Sequence, residues 1–201
     1  MLNAERIRAI ALRNEACSDA VEWLETLRPN TRADDVFWTC PSGNWIAWFL
    51  YKCGLDCDRF APAAYAAGDR CFRVYAPSIL RRLGYDDHAK TLEKLRPIAD
   101  LETIREAMAA KDLIGLAIQT DGQRDNPLVC EIRCRLTYAS YGLENRRYHD
   151  AMDSAEIFAA SAAGAAGYPE RCEREAVRAA NDLRTWFTNN DVERLAERIP
   201  A

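Results

Sequence analysis

Only two histidines occur in this chain, His88 and His149, and the second stands where it could do chemistry. His149 lies in Tyr148-His149-Asp150, with Asp153 one helical turn further on. Residues four apart share a helix face, so a carboxylate at 153 could orient the imidazole as a general base. A surface histidine is commonly satisfied by a neighbouring acid in the same way, and both readings stand. Cysteines form the second set. Eight are present, and Cys53/Cys57 and Cys130/Cys134 are each spaced i, i+4. Two such pairs could bring four thiolates to a tetrahedral zinc ion. Zinc sites more often use Cys-x2-Cys on a loop, a spacing absent here, and free cysteine packs as a small hydrophobe. The expectation is core packing for all eight, with no metal and no cofactor.

Other catalytic signatures are missing. No Gly-x-Ser-x-Gly elbow, no Gly-rich phosphate loop and no His-Glu-x2-His occurs. Ser42-Gly43 sits in a turn with no strand before it. Asp34-Asp35 and Asp86-Asp87 fall at predicted helix starts, where acids suit the positive end of the dipole. Trp38, Trp45, Trp48 and Phe49 fall within a dozen residues, with Trp23 in the helix before. Packed inward, they join neighbouring helices; exposed, they anchor a partner, since Trp is enriched in binding hot spots. Trp45 and Trp48 are assigned to the core, and Trp38 is open to either role. Trp38, Asp34, Asp35 and Asn44 form the candidate partner-binding set.

The elements that must position these residues are helices. Ala, Leu, Arg and Glu dominate, and no sustained polar–apolar alternation occurs. Apolar spacing, caps and breakers predict helices over 3–13, 15–28, 33–39 and 44–54, then a long one over 59–83 that Pro77 should kink. Further helices are predicted over 86–95, 101–119, 127–141, 144–166, 169–188 and 191–198. In the 101–119 helix, Leu101, Ile104, Met108, Leu113, Leu116 and Ala117 are the expected inward set. Trp45–Tyr51 is apolar on every side and is expected to be central. Small residues from Ala159 to Gly167 suit a closely approaching helix pair. The expected architecture is all-α, about eight to ten helices with no significant β-sheet. One domain over 1–201 is expected, with sub-halves 1–84 and 100–201 joined by a short linker.

Composition bounds the partners. The 201 residues are 49% hydrophobic and 29% charged, with a formal net charge of −4. That mixture folds without staples. A mildly acidic chain disfavours direct nucleic-acid binding, which usually needs a basic face. No run reaches the ~18 apolar residues of a membrane span, and Met1–Arg6 lacks the apolar stretch of a signal peptide. A cytoplasmic location is expected.

Three segments carry a family resemblance: Cys17-Ser18-Asp19-Ala20-Val21-Glu22-Trp23-Leu24, Val36-Phe37-Trp38-Thr39-Cys40 and Gly43-Asn44-Trp45-Ile46-Ala47-Trp48-Phe49-Leu50. They resemble the N-terminal signature of immunity-five-like immunity proteins of phages and bacteria: Ala-Cys-x2-Ala-x2-Trp, then Trp-x2-Cys, then Gly-Asp-Trp-x2-Trp. The alanine-rich stretch from about 151 to 180 and the closing Arg198-Ile199-Pro200 are similar to the family's later part. Asn44 replaces the family's aspartate, and the middle, about 84–145, is longer and less alanine-rich. The resemblance implies a non-enzymatic inhibitor, an immunity-type or phage counter-defence protein that neutralises a toxin or defence effector by direct binding. An acidic chain suits a basic partner. Two other classes remain open: an enzyme or small-ligand binder with a helical pocket using Cys, His149 or carboxylates, and a self-associating helical scaffold, a homo-oligomer.

Overall fold

Alternating caps and breakers divide the chain into the helices that apolar periodicity predicts. The computed structural model describes residues 2–54, 58–122, 126–164 and 168–185. Among them eleven α-helices follow one another: α1 Ala4–Arg13, α2 Ser18–Glu25, α3 Ala33–Thr39, α4 Gly43–Lys52, α5 Ala61–Arg70, α6 Ala76–Arg82, α7 Asp86–Glu93, α8 Leu101–Thr120, α9 Pro127–Glu144, α10 Tyr148–Ala163 and α11 Tyr168–Arg184. The fold is all-α. Extended pairing among the described residues amounts to a single antiparallel bridge, Asn3 with Arg32. The 191–198 helix and Cys57 fall outside the described residues.

Local chemistry explains the boundaries. Asn3, Ser42 and Asn126 each accept a backbone N–H at a helix start, and Asp100 forms a reciprocal capping box with Thr103. The second helix starts later than predicted. Glu15 takes a left-handed φ of 60°, and Cys17 is extended before Ser18. Pro77 acts as expected, though without a sharp break. It lies in the first turn of α6, and the residues before it, Cys71–Tyr75, widen into a π turn that joins α5 to α6. Widening the turn accommodates the donor that proline lacks. The next joint falls later than expected: α9 runs to Glu144, and Arg146, at φ 57°, turns the chain into α10.

Two expectations about inward faces are corrected. On α8 the buried residues are Thr103, Ile104, Ala107, Ile114 and Ile118, whereas Leu101, Leu113 and Leu116 are exposed. Only the narrow stripe against α7 and α9 is covered, and it follows the branched residues. The most enclosed helix is α10 rather than α4. Tyr148, Ala151, Met152, Ala155, Phe158, Ala159 and Ala160 are buried along it, with α4, α5, α9 and α11 around it. Its alanines let neighbours approach closely, which outweighs the greater hydrophobicity of α4. The continuous buried cluster runs from Leu2 to Leu183, through both stretches expected as sub-halves.

Two contacts fix α11 against the first half of the chain. Buried Arg70 on α5 reaches Glu175 at 2.5 Å and Asp182 at 3.1 Å, and the Tyr75 hydroxyl donates to the same Glu175. At the start of α4, Gly43 sits so close to α11 that a Cβ there would lie 2.4 Å from the Ala179 carbonyl carbon. Helix propensity alone would make Gly43→Ala stabilising by up to about 1 kcal/mol. The close approach reverses the sign. Gly43→Ala is expected to lose about 1–3 kcal/mol in urea unfolding, the scale of an overpacked interior, and a neutral or stabilising result would disprove the tight seam.

Candidate functional site

The site grows from the first turn of α4. Ser42 caps the helix, its Oγ accepting from the Trp45 N–H, and donates its own proton to Glu156 Oε1 on α10 at 3.0 Å. Two residues on, Asn44 Nδ2 donates to Asp153 Oδ1 at 3.0 Å. Asp153 and Glu156 are three apart on α10, so both meet the same end of α4. Trp45 and Trp48, on another edge of the same helix, are half-buried and face α1, α2 and α3 across a groove.

That groove has a volume of about 410 Å³. Ile7 and Ala11 of α1 form one wall, with Glu15, Ala16 and Cys17 at its end. Ala20, Trp23 and Leu24 of α2 and Val36, Phe37 and Cys40 of α3 continue it. Asn44, Trp45, Trp48 and Phe49 of α4 face them, and His149, Asp150 and Asp153 of α10 close the floor. The Trp23 and Trp45 rings lie 6.2 Å apart at 42°. The Lys52 ammonium lies over Trp48, 5.8 Å from the ring centroid.

The expected His149–Asp153 pair is rearranged. His149 Nε2 lies 3.2 Å from Asp150 Oδ1, and Asp153 is engaged by Asn44 instead. Asp150 also holds Arg147 at 2.9 Å. The imidazole is 8% exposed and packs against the Tyr51 ring, with centroids 5.0 Å apart. Burial pushes its pKa down to about 4, helped by the charges of Arg147 and Lys52. It is therefore neutral at pH 7 and weak as a base, since an efficient base titrates near the working pH. Burial raises the Asp150 and Asp153 carboxyls above their ordinary values. Glu156 moves furthest, pushed up to about 8 by burial against the opposing Ser42 hydrogen bond.

The other candidates separate. Trp38 is 47% exposed and points away from the groove-lining set. Asp34 is tied to Arg32 at 2.9 Å, and Asp35 is exposed at the start of α3. Asn44 alone of the partner-binding set faces the groove. Trp45 and Trp48, expected in the core, are half-buried groove walls. Uniform burial of the cysteines is also corrected: Cys40 and Cys71 are buried, Cys53, Cys130 and Cys172 are half-buried, and Cys17 and Cys134 are exposed. Among the described residues no three His, Cys, Asp or Glu side chains cluster as metal ligands. The Cys40 thiol, pushed up to about 12 by burial, is no nucleophile.

Sequence reasoning missed Ser42, Glu156, Asp150 and the Glu15–Cys17 end of the groove. Two signals were present. A serine before an apolar helix is a cap. Glu156 shares the α10 face of Met152 and Ala160, four residues to either side, where an acid must find a buried partner. Comparison with known protein families, with characterised proteins and with solved structures gives no match.

The raised Glu156 and lowered His149 set a pH dependence of stability. Folded Glu156 holds its proton up to about 8, against an ordinary value of 4.5, so its contribution is complete below 4.5 and lost as pH rises through 8. Folded His149 resists protonation down to about 4, against 6.5, so its contribution is present above 6.5 and lost as pH falls. The two oppose each other below 6.5, and Glu156 acts alone of this pair above it. Calorimetry is expected to show Tm falling between pH 6.5 and 8.5, and Glu156→Gln, which keeps an acceptor for Ser42, flattening that fall. A wild-type Tm that is level or rising over this range would refute the assignment.

Proposed function

We propose that the chain is a non-catalytic binding protein of the immunity or counter-defence kind, neutralising a toxin or defence effector by seating part of it in the groove. One observation carries the reading. Twelve residues of the three segments that carry the family resemblance, spread over 33 positions, line this groove: Cys17, Ala20, Trp23, Leu24, Val36, Phe37, Cys40, Asn44, Trp45, Ile46, Trp48 and Phe49, with Trp38 and Gly43 outside it. Several of them would pack equally well in a closed core. Holding three tryptophans half-buried around a concavity instead gives large, rigid apolar anchors of the type that dominates binding energy. The chemistry of the groove supports binding over turnover: its histidine is a weak base and its Cys40 thiol stays protonated.

A second reading shares the groove. Its volume of about 410 Å³ falls within the ~300–1,000 Å³ range of small-molecule pockets, so a small-ligand binder with a helical pocket is the alternative. In that case binding would need no partner protein.

The test is co-expression with the product of each gene flanking this one. One such product is expected to arrest growth alone and to be relieved by the wild-type chain. Trp45→Leu and Asn44→Ala, each checked for a folded spectrum, should fail to relieve it. Purified Trp45→Leu should bind that product about 30-fold or more weakly, the ~2 kcal/mol of a lost hot spot. Groove variants that neutralise as well as the wild type would sink the reading.

A further inference from the structure

The floor of the groove contains polar groups that the fold leaves unanswered. Asp153 is half-buried; its hydrogen bond is to a neutral amide, Asn44 Nδ2, and Arg135 acts on it through its charge alone among the described contacts. His149 turns Nε2 to Asp150, which makes Nδ1 the bare acceptor of a neutral imidazole. That Nδ1 is shut off from solvent and has no hydrogen-bond partner. Nδ1 is closed to an incoming group as it is to water, so the acceptor that a donor from outside can reach is the Asp153 carboxylate.

The charges lining the groove have one sign. Glu15, Asp150 and Asp153 line it, and no lysine or arginine does. Of the cations near the floor, Arg147 is spent on Asp150 at 2.9 Å and Arg135 is paired with Glu131 at 3.0 Å. Trp23 and Trp45 line the same groove, and indole faces attract cations. The chain already uses that attraction on the next ring, where Lys52 lies over Trp48. An anion or a neutral apolar tip would leave these acceptors unanswered. A guanidinium would fill them, since it is flat enough to lie on an indole and presents several donors in one plane.

We propose that the groove takes a cationic side chain, arginine in preference to lysine, from the protein that this chain binds. The inference rests on the groove being the working site, and it names what enters: a basic residue lying against the Trp23–Trp45 pair, whose rings already meet at 6.2 Å, with its donors directed at Asp153.

The experiment follows the indole N–H resonances of the full-length chain while blocked amino-acid amides are added. N-acetyl-arginine methylamide is expected to shift the Trp23 and Trp45 signals saturably. The citrulline analogue, which has the same shape without the charge, should bind about tenfold more weakly, the ~1.4 kcal/mol scale of a charge-assisted contact. Asp153→Asn, which preserves the shape and can still meet Asn44, should bring arginine down to the citrulline level and leave citrulline unchanged. Equal binding of the two amides, no saturable arginine shift, or full affinity in Asp153→Asn overturns the proposal. Phenylguanidinium binding more tightly than the arginine amide would also overturn it, by assigning the site to a free small cation. The two readings fail separately. If groove variants abolish neutralisation while arginine and citrulline bind alike, the groove stands and the cation falls. If groove variants leave neutralisation intact, the groove itself falls.

Discussion

Everything distinctive about this molecule depends on the meeting of α4 with α10. Ser42 and Glu156 are 114 residues apart in sequence, and Asn44 and Asp153 are 109 apart. Together these two bonds lock the first turn of an apolar helix onto the most enclosed helix of the fold. A buried polar pair is worth little as net attraction, but it is expensive to leave unmade, so it selects one arrangement among many apolar ones. Gly43 lies between the two bonded residues and lets α11 close behind the joint. A side chain at position 43 would collide with the backbone of Ala179 and Ala180 and push α11 away from the joint.

A second polar knot holds α11 from another side. Arg70, Glu175, Asp182 and Tyr75 tie the α5–α6 segment to α11. Burial disfavours the Arg70 charge, and Glu175 more than compensates, so the guanidinium stays firmly protonated. The π turn at Cys71–Tyr75 belongs to this arrangement, since it carries Tyr75 onto α11 just where Pro77 requires the chain to adjust. The alanine-rich part of α10 then fits among α4, α5, α9 and α11 with buried residues on most sides.

With the rear of α4 secured, its front is free to be half-covered. Trp45 and Trp48 complete a concave wall with Trp23 instead of sealing a core, and the buried His149 and half-buried Asp150 and Asp153 of α10 line the floor. A sequence optimised only for stability would cover those rings and pair those acceptors. Local departures of this kind are where function is expected to sit. The groove presents aromatic faces, a neutral imidazole and carboxylates, a chemistry that supports the proposed binding role.

Much of the architecture was legible in the residues themselves. The cap at Asp100, breakers at Gly54, Gly84 and Pro77, and 3.6-residue periodicity are local signals, so the helices and the all-α class followed from them. The paired aspartates at 34–35 and 86–87 were likewise readable as helix-start residues, because the dipole acts within one turn. What failed was everything that depends on a second element. The inward face of α8, the enclosure of α10 over α4, the half-exposure of Trp45 and Trp48, and the choice of Asp150 over Asp153 for His149 are all decided by what packs across from them. Periodicity shows which residues share a face. It cannot show whether that face meets another helix, a groove or water, and so the chain alone determined its helices while only their packing made a site.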